Sequence, residues 1–112
     1  MKYTTKDSGA RQDYKSGMRR DLQDGKTRFD LVIPLDMEHN MFVRWAELMT
    51  RGAEKYGIRN WEKADSVEEL NRFLASAFRH FYQWYSGETD EDHAAAVYFN
   101  IQCAEYVKEK LK

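Results

Sequence analysis

Residues 51–61, RGAEKYGIRNW, decide how the chain is read. Working back from Gly57, apolar residues recur at three- and four-residue spacing through Tyr56, Ala53, Gly52, Met49, Leu48, Trp45, Phe42, Met41 and Met37. That period marks one face of an amphipathic helix, and a glycine just past the last turn is a common helix stop. The helix is expected over residues 36–56, capped by Asp36, just after Pro34, the only proline. Around the stop, Lys55, Tyr56, Arg59, Asn60 and Trp61 crowd into a few positions. Two readings stand. The aromatics anchor a plain helix end in the core, or the turn uses Lys55, Tyr56, Asn60 and Trp61 to hold a ligand. Gly52 costs a helix about 1 kcal/mol against Ala, so either close packing or the approach of a ligand has to account for it.

Downstream, Ser66-Val67-Glu68-Glu69 is a capping-box pattern opening a second helix that ends by Gly87. Leu70, Phe73, Leu74, Ala77, Phe78, Phe81, Trp84 and Tyr85 form its broad apolar face. Thr89 with Asp92 is a weaker cap pattern for a third helix running to the C-terminus. Its inner stripe is Ala95, Ala96, Phe99, Cys103, Val107 and Leu111, and Lys108, Lys110 and Lys112 suit its dipole. The expected fold class is all-α, three main helices after an extended N-terminal arm. The faces are wider than three helices cover, so a bundle completed by oligomerisation is expected.

Upstream, residues 1–34 form the extended basic arm, partly flexible, ahead of a helical domain over residues 35–112. Residues 1–28 hold eight Lys/Arg and four Asp, a balance of +4, while the remainder carries ten Lys/Arg and fifteen Asp/Glu, a balance of −5. Such an arm suits phosphates, a nucleic acid or an acidic partner face, although +4 is small for a duplex-DNA reader. The apolar run FDLVIP at its end, residues 29–34, is expected to pack. No run approaches the roughly 20 apolar residues of a membrane span. The polar N-terminus carries no export signal core, and a lone Cys103 makes no internal disulfide. The chain reads as cytoplasmic.

Glu88, Asp90, Glu91, Asp92 and His93 are the densest set of metal-ligand types. Oxygen-rich sets suit Mg²⁺ or Mn²⁺, while acidic residues in a first helical turn also arise simply from the dipole. If both are helical, Glu88 and Asp92 share a face. Glu47 and Glu54 lie seven residues apart, about 10 Å along a helix, so at most one serves a given ion, and Glu47 is preferred. His93 and Asn100 share a stripe, and His80 borders the second helix beside Arg79, whose guanidinium suits phosphate. Arg19, Lys26 and Arg28 on the arm offer further phosphate contacts. No Walker loop, dinucleotide fingerprint, serine elbow or reactive cysteine motif is present.

DGKTRFDL (24–31), RGAEKYGIRNWEK (51–63), FRHFYQWYSGE (78–88) and EDHAAAVYFN (91–100) together carry a resemblance. In this order they are similar to the phage dATP/dGTP diphosphohydrolase N-terminal-domain family, a MazZ-like branch of the all-α, MazG-like nucleoside triphosphate pyrophosphatases. The resemblance covers about residues 17–105, and GA-x-KYG-x-x-NW is its most specific part. It implies a homo-oligomer, dimer or tetramer, and Mg²⁺-dependent (or Mn²⁺-dependent) hydrolysis of a deoxypurine nucleoside triphosphate between its α and β phosphates. Relatives hold the metals with Glu-x-x-Glu and Glu-x-x-Asp pairs. Here Thr50 stands three residues after Glu47, and His93 and Ala96 stand where the second pair is expected.

The substitute assignment places the metal on Glu47, Glu88 and Asp92, with Glu47, Asp92 and His93 catalytic. Arg28, Lys55 and Arg79 neutralise phosphates, and Tyr56, Asn60 and Trp61 hold sugar or base, with His80 and Asn100 also facing substrate. Two alternatives remain beside the enzyme. One is a catalytically silent nucleotide-binding or partner-binding phage protein, and the other is nucleic-acid binding through the basic arm.

Overall fold

The first long helix is capped by Asn40, not by Asp36. In the structure, a computed structural model describing residues 2–112, α1 spans Met41–Tyr56 and residues 36–39 lie outside it. The Asn40 side chain accepts from the Val43 N–H at 3.1 Å and donates to the Met37 carbonyl at 3.1 Å. An amide does both; an aspartate only accepts, so Asp36 cannot pin the preceding loop in the same way. At the other end Gly57 has φ +100°, a conformation that disfavours any Cβ, and its N–H bonds back to Ala53.

A short 3-10 turn, Asn60–Lys63, follows, entered through Arg59 in the left-handed region at φ 58°. Helix α2, Val67–Tyr85, is capped by Ser66, whose Oγ takes the Glu69 N–H at 3.2 Å while Glu69 accepts from the Ser66 hydroxyl at 2.7 Å. Ser66 caps the helix as expected, while Glu69 reaches back to the Ser66 hydroxyl and the Asp65 N–H. Helix α3, His93–Lys110, is capped by Asp92, not Thr89. Glu88 therefore lies outside a helix and shares no helical face with Asp92.

Packing centres on α3, which contacts both other helices. It runs back along α2, with Phe73 edge-on to Phe99 at 6.5 Å. It starts beside the N-terminus of α1 and ends near the 3-10 turn, where Trp61 meets Tyr106 at 5.1 Å. The core is narrow and built from small side chains: Ala64, Ala95, Ala96, Cys103, Ala104 and Val107, with Ser76, His80, His93 and Asn100 buried among them. Most of the large aromatics of α2 stay outside it: Phe78 is 75% and Tyr85 79% exposed. The expected width of the α2 face is thus present and uncovered within one chain. No helix among the described residues is long and apolar enough to cross a membrane.

The chain divides into two compact units, one ending at Val32 and the other Ile33–Lys112. The first holds a small antiparallel hairpin that the sequence reading missed: β1 (Arg11–Asp13) pairs with β2 (Arg19–Asp21). Its register sets Arg11 opposite Asp21 and Asp13 opposite Arg19, so opposite charges rather than apolar alternation match the strands. The expected packing of FDLVIP is not seen. Phe29, Leu31 and Val32 are more than two-thirds exposed.

Candidate functional site

Two neighbouring recesses open on the helical unit. The first, about 290 Å³, lies against the last two turns of α1 and the residues after it. Lys55, Tyr56, Asn60 and Trp61 all line it, together with Gly52 and Arg59. The turn after α1 therefore gathers the four side chains expected to recognise a ligand. The second recess, about 610 Å³, is more polar than the first and sits over the loop that leads into α3. Ser76, His80, Asp90, Glu91, Asp92 and Asn100 line it. Leu48, Arg51 and Phe99 are common to both walls, so one guanidinium stands where an apolar recess meets an acidic one.

Beside the second recess runs a chain of polar contacts, buried at its two histidines and exposed at both ends. The Arg79 guanidinium donates to His80 Nε2 at 3.2 Å, since Arg has no acceptor. His80 must then carry its proton on Nδ1, which donates to His93 Nδ1 at 2.9 Å. His93 in turn holds its proton on Nε2, which donates to Asp90 Oδ1 at 2.8 Å. Each link has one proton, and all the donors point from Arg79 toward Asp90. Burial, followed by the Arg79 charge, pushes the His80 imidazole below its ordinary pKa, and the His93 contact holds the Asp90 carboxyl below the usual carboxylate range.

Asp90, Glu91 and His93 bring one ligand atom each within 4.8 Å of one another, and they are the one such group of three among the described residues. The hydrogen-bond order sorts these donors. His93 Nε2 bears a proton and has no lone pair to offer, which leaves the two carboxylates. Carboxylate oxygen suits Mg²⁺ or Mn²⁺ better than imidazole does, so the donor set fits the expected ion through Asp90 and Glu91.

The expected set of Glu47, Glu88 and Asp92 is not gathered into such a group. Asp92 faces α1 instead: Arg44 Nε and Nη2 donate to its two oxygens at 2.9 and 2.7 Å, and it also accepts from the Ala95 N–H. The Arg44 bond is the main cause holding its carboxyl low. Glu47 takes both its contacts from His39 Nε2, at 3.0 and 2.9 Å, and lines a shallow groove with Phe42 and Thr50. Glu88 lines neither recess.

Arg79 likewise lines neither and meets the second recess only through His80. Arg28 belongs to the first unit, paired with Asp30 at 2.9 and 2.7 Å. The arm's aspartates are largely occupied there, Asp7 by Arg11 and Asp13 by Arg19. Asn100 is buried in the second recess, its Nδ2 donating to the Ala96 carbonyl at 2.8 Å.

Of the residues lining the two recesses, Arg51 lies outside the assignment read from the sequence, and Asp90 and Glu91 enter it only as members of the acidic set, not as assigned ligands. Asp90 stands three residues before His93, a spacing that could have singled it out. Arg51 lies three residues after Leu48 on α1, one turn further along the same side of the helix.

No curated protein and no solved structure matches the chain. The family described as dATP/dGTP diphosphohydrolase, N-terminal, matches residues 15–111, which include both recesses and the hydrogen-bonded chain beside the second. The chain belongs to the dATP/dGTP diphosphohydrolase N-terminal family.

Proposed function

We propose that the helical unit hydrolyses a deoxypurine nucleoside triphosphate of the dATP/dGTP class, releasing pyrophosphate with the help of a divalent cation. One observation carries this reading: an aromatic recess and a carboxylate-lined recess share Arg51 as a wall. A nucleotide has the same division, an apolar ring at one end and a charged chain at the other. Tyr56 and Trp61 offer aromatic faces to the base and Asn60 an amide to its polar edge. Arg51, at the junction, and Lys55 bind the phosphates as they cross from one recess to the other.

Carboxylates repel a triphosphate unless a cation lies between them. Mg²⁺ or Mn²⁺ on Asp90 and Glu91 would supply that charge and polarise the attacked phosphoryl group. The Arg79–His80–His93 chain orients Asp90, holding one of its oxygens and leaving the other free. A homo-oligomer follows from the exposed aromatic face of α2, which a second copy would cover. Light scattering giving a monomer at micromolar concentration would remove that part.

The silent-binder reading has its own support. Arg44 occupies Asp92 and His39 occupies Glu47, so two expected metal ligands are engaged elsewhere. The test is direct. Incubation with dATP and dGTP in Mg²⁺ should yield deoxynucleoside monophosphate and pyrophosphate. Saturable binding without product favours the silent binder, and neither binding nor product removes both readings.

A further inference from the structure

Gly52 sits in the middle of α1, where nothing in the helical unit among the described residues requires a glycine. It is not among the glycines with positive φ, so backbone freedom is not the reason. A Cβ built on it meets no heavy atom within 4 Å among the described residues apart from its chain neighbours and the adjoining helix backbone, so close packing within the helical unit is not the reason either. Alanine would favour the helix at this position. The space above Gly52 is the aromatic recess, walled by Tyr56, Trp61 and Phe99. A side chain there would project into the volume assigned above to the base.

We infer that Gly52 is a specificity-determining residue whose bare backbone forms the floor on which the purine ring lies. This rests on the proposed function and adds to it the surface that the base contacts. Tyr56 and Trp61 stand at the sides, and the missing Cβ sets the depth available. A methyl group on the floor lifts the ring away from the amide of Asn60 and from Arg51. An isobutyl group occupies its place.

The test compares wild type with Gly52→Ala and Gly52→Leu, titrated calorimetrically with the α,β-methylene analogues of dATP and dGTP in Mg²⁺. Melting temperature and solution mass are measured on the same samples. The expected result for Gly52→Ala is a Tm raised by several degrees together with a Kd weakened about tenfold or more, the scale of one methylene in a tight pocket. Gly52→Leu should lose binding while keeping its fold.

Opposite signs for stability and affinity are what a structural role would not produce. Wild-type binding with an unchanged Kd in both variants overturns the assignment to Gly52 alone. A lowered Tm with a changed solution mass also overturns it, because Gly52 then packs against a second copy. No binding by the wild type overturns the parent reading and the ligand named here with it.

Discussion

His80 and His93 meet Nδ1 to Nδ1 at 2.9 Å, an arrangement that allows one proton between them and fixes which ring carries it. With Arg79 donating at one end and Asp90 accepting at the other, both rings are held in single tautomers. Replacing His93 by Phe leaves the His80 Nδ1–H without a partner in a buried position. That should cost about 1–3 kcal/mol of unfolding free energy, read from urea melts. Nitrogen-resolved NMR of the wild type should show the proton on Nδ1 of His80 and on Nε2 of His93. The reverse tautomers would contradict the order of the chain.

The helical unit should lose stability in mild acid. His80 has a depressed pKa in the folded state, chiefly through burial and then through Arg79. Its contribution is fully present above the unfolded-state value of about 6.5. It is lost as pH falls from there toward the folded value, because the unfolded chain takes up the proton first. Melting temperatures between pH 8 and 5 should fall for the wild type and fall less for His80→Leu. Equal slopes would show that another group governs this window.

Asp92 serves two elements at once, capping α3 and accepting both bonds from Arg44 on α1. Asp92→Asn keeps a good cap and removes the ion pair, which is about three-quarters shielded from water on both partners. A loss of about 1–2 kcal/mol is expected, between the values for exposed and for buried pairs. The folded-state pKa of Asp92 is lowered. Its contribution is therefore present above the unfolded-state value of about 4 and lost below it. Acid titration of the variant should show a shallower decline there. An unchanged stability at pH 7 would mean that the pair contributes nothing.

The three helices were legible because each carries its own local signal. The three-and-four spacing through Tyr56 marked α1, Ser66 with Glu69 opened α2, and the alanine-rich stripe placed α3. Asn40 was missed because Asp36 is an equally good cap on paper; what favours Asn40 is its amide donating to Met37, a contact visible only once the loop is folded. The hairpin was missed because RQD and RRD have no apolar alternation, and their register is set by charges across the strands. Lys55, Tyr56, Asn60 and Trp61 line one recess because a single turn brings them together, and their closeness in sequence makes that grouping legible. Spacing along the chain does not reveal that Arg44, forty-eight residues away, holds Asp92, nor that Asp90, Glu91 and His93 come together in one group.

The carboxylates separate under mutation. Asp90→Asn and Glu91→Gln should each weaken Mg²⁺ dependence, measured as the metal concentration giving half-maximal turnover, by about tenfold or more. Glu88→Gln should leave it within error. Circular dichroism should be unchanged in all three. A strong effect of Glu88→Gln with none from the other two would return the metal to the set first read from the sequence.

The most direct measurement is phosphorus NMR of dATP and dGTP incubated with the protein and Mg²⁺. The account predicts resonances of deoxynucleoside monophosphate and pyrophosphate, their appearance abolished by EDTA and by the double variant Asp90→Asn/Glu91→Gln. Unchanged triphosphate resonances would contradict it, whether or not calorimetry detects binding.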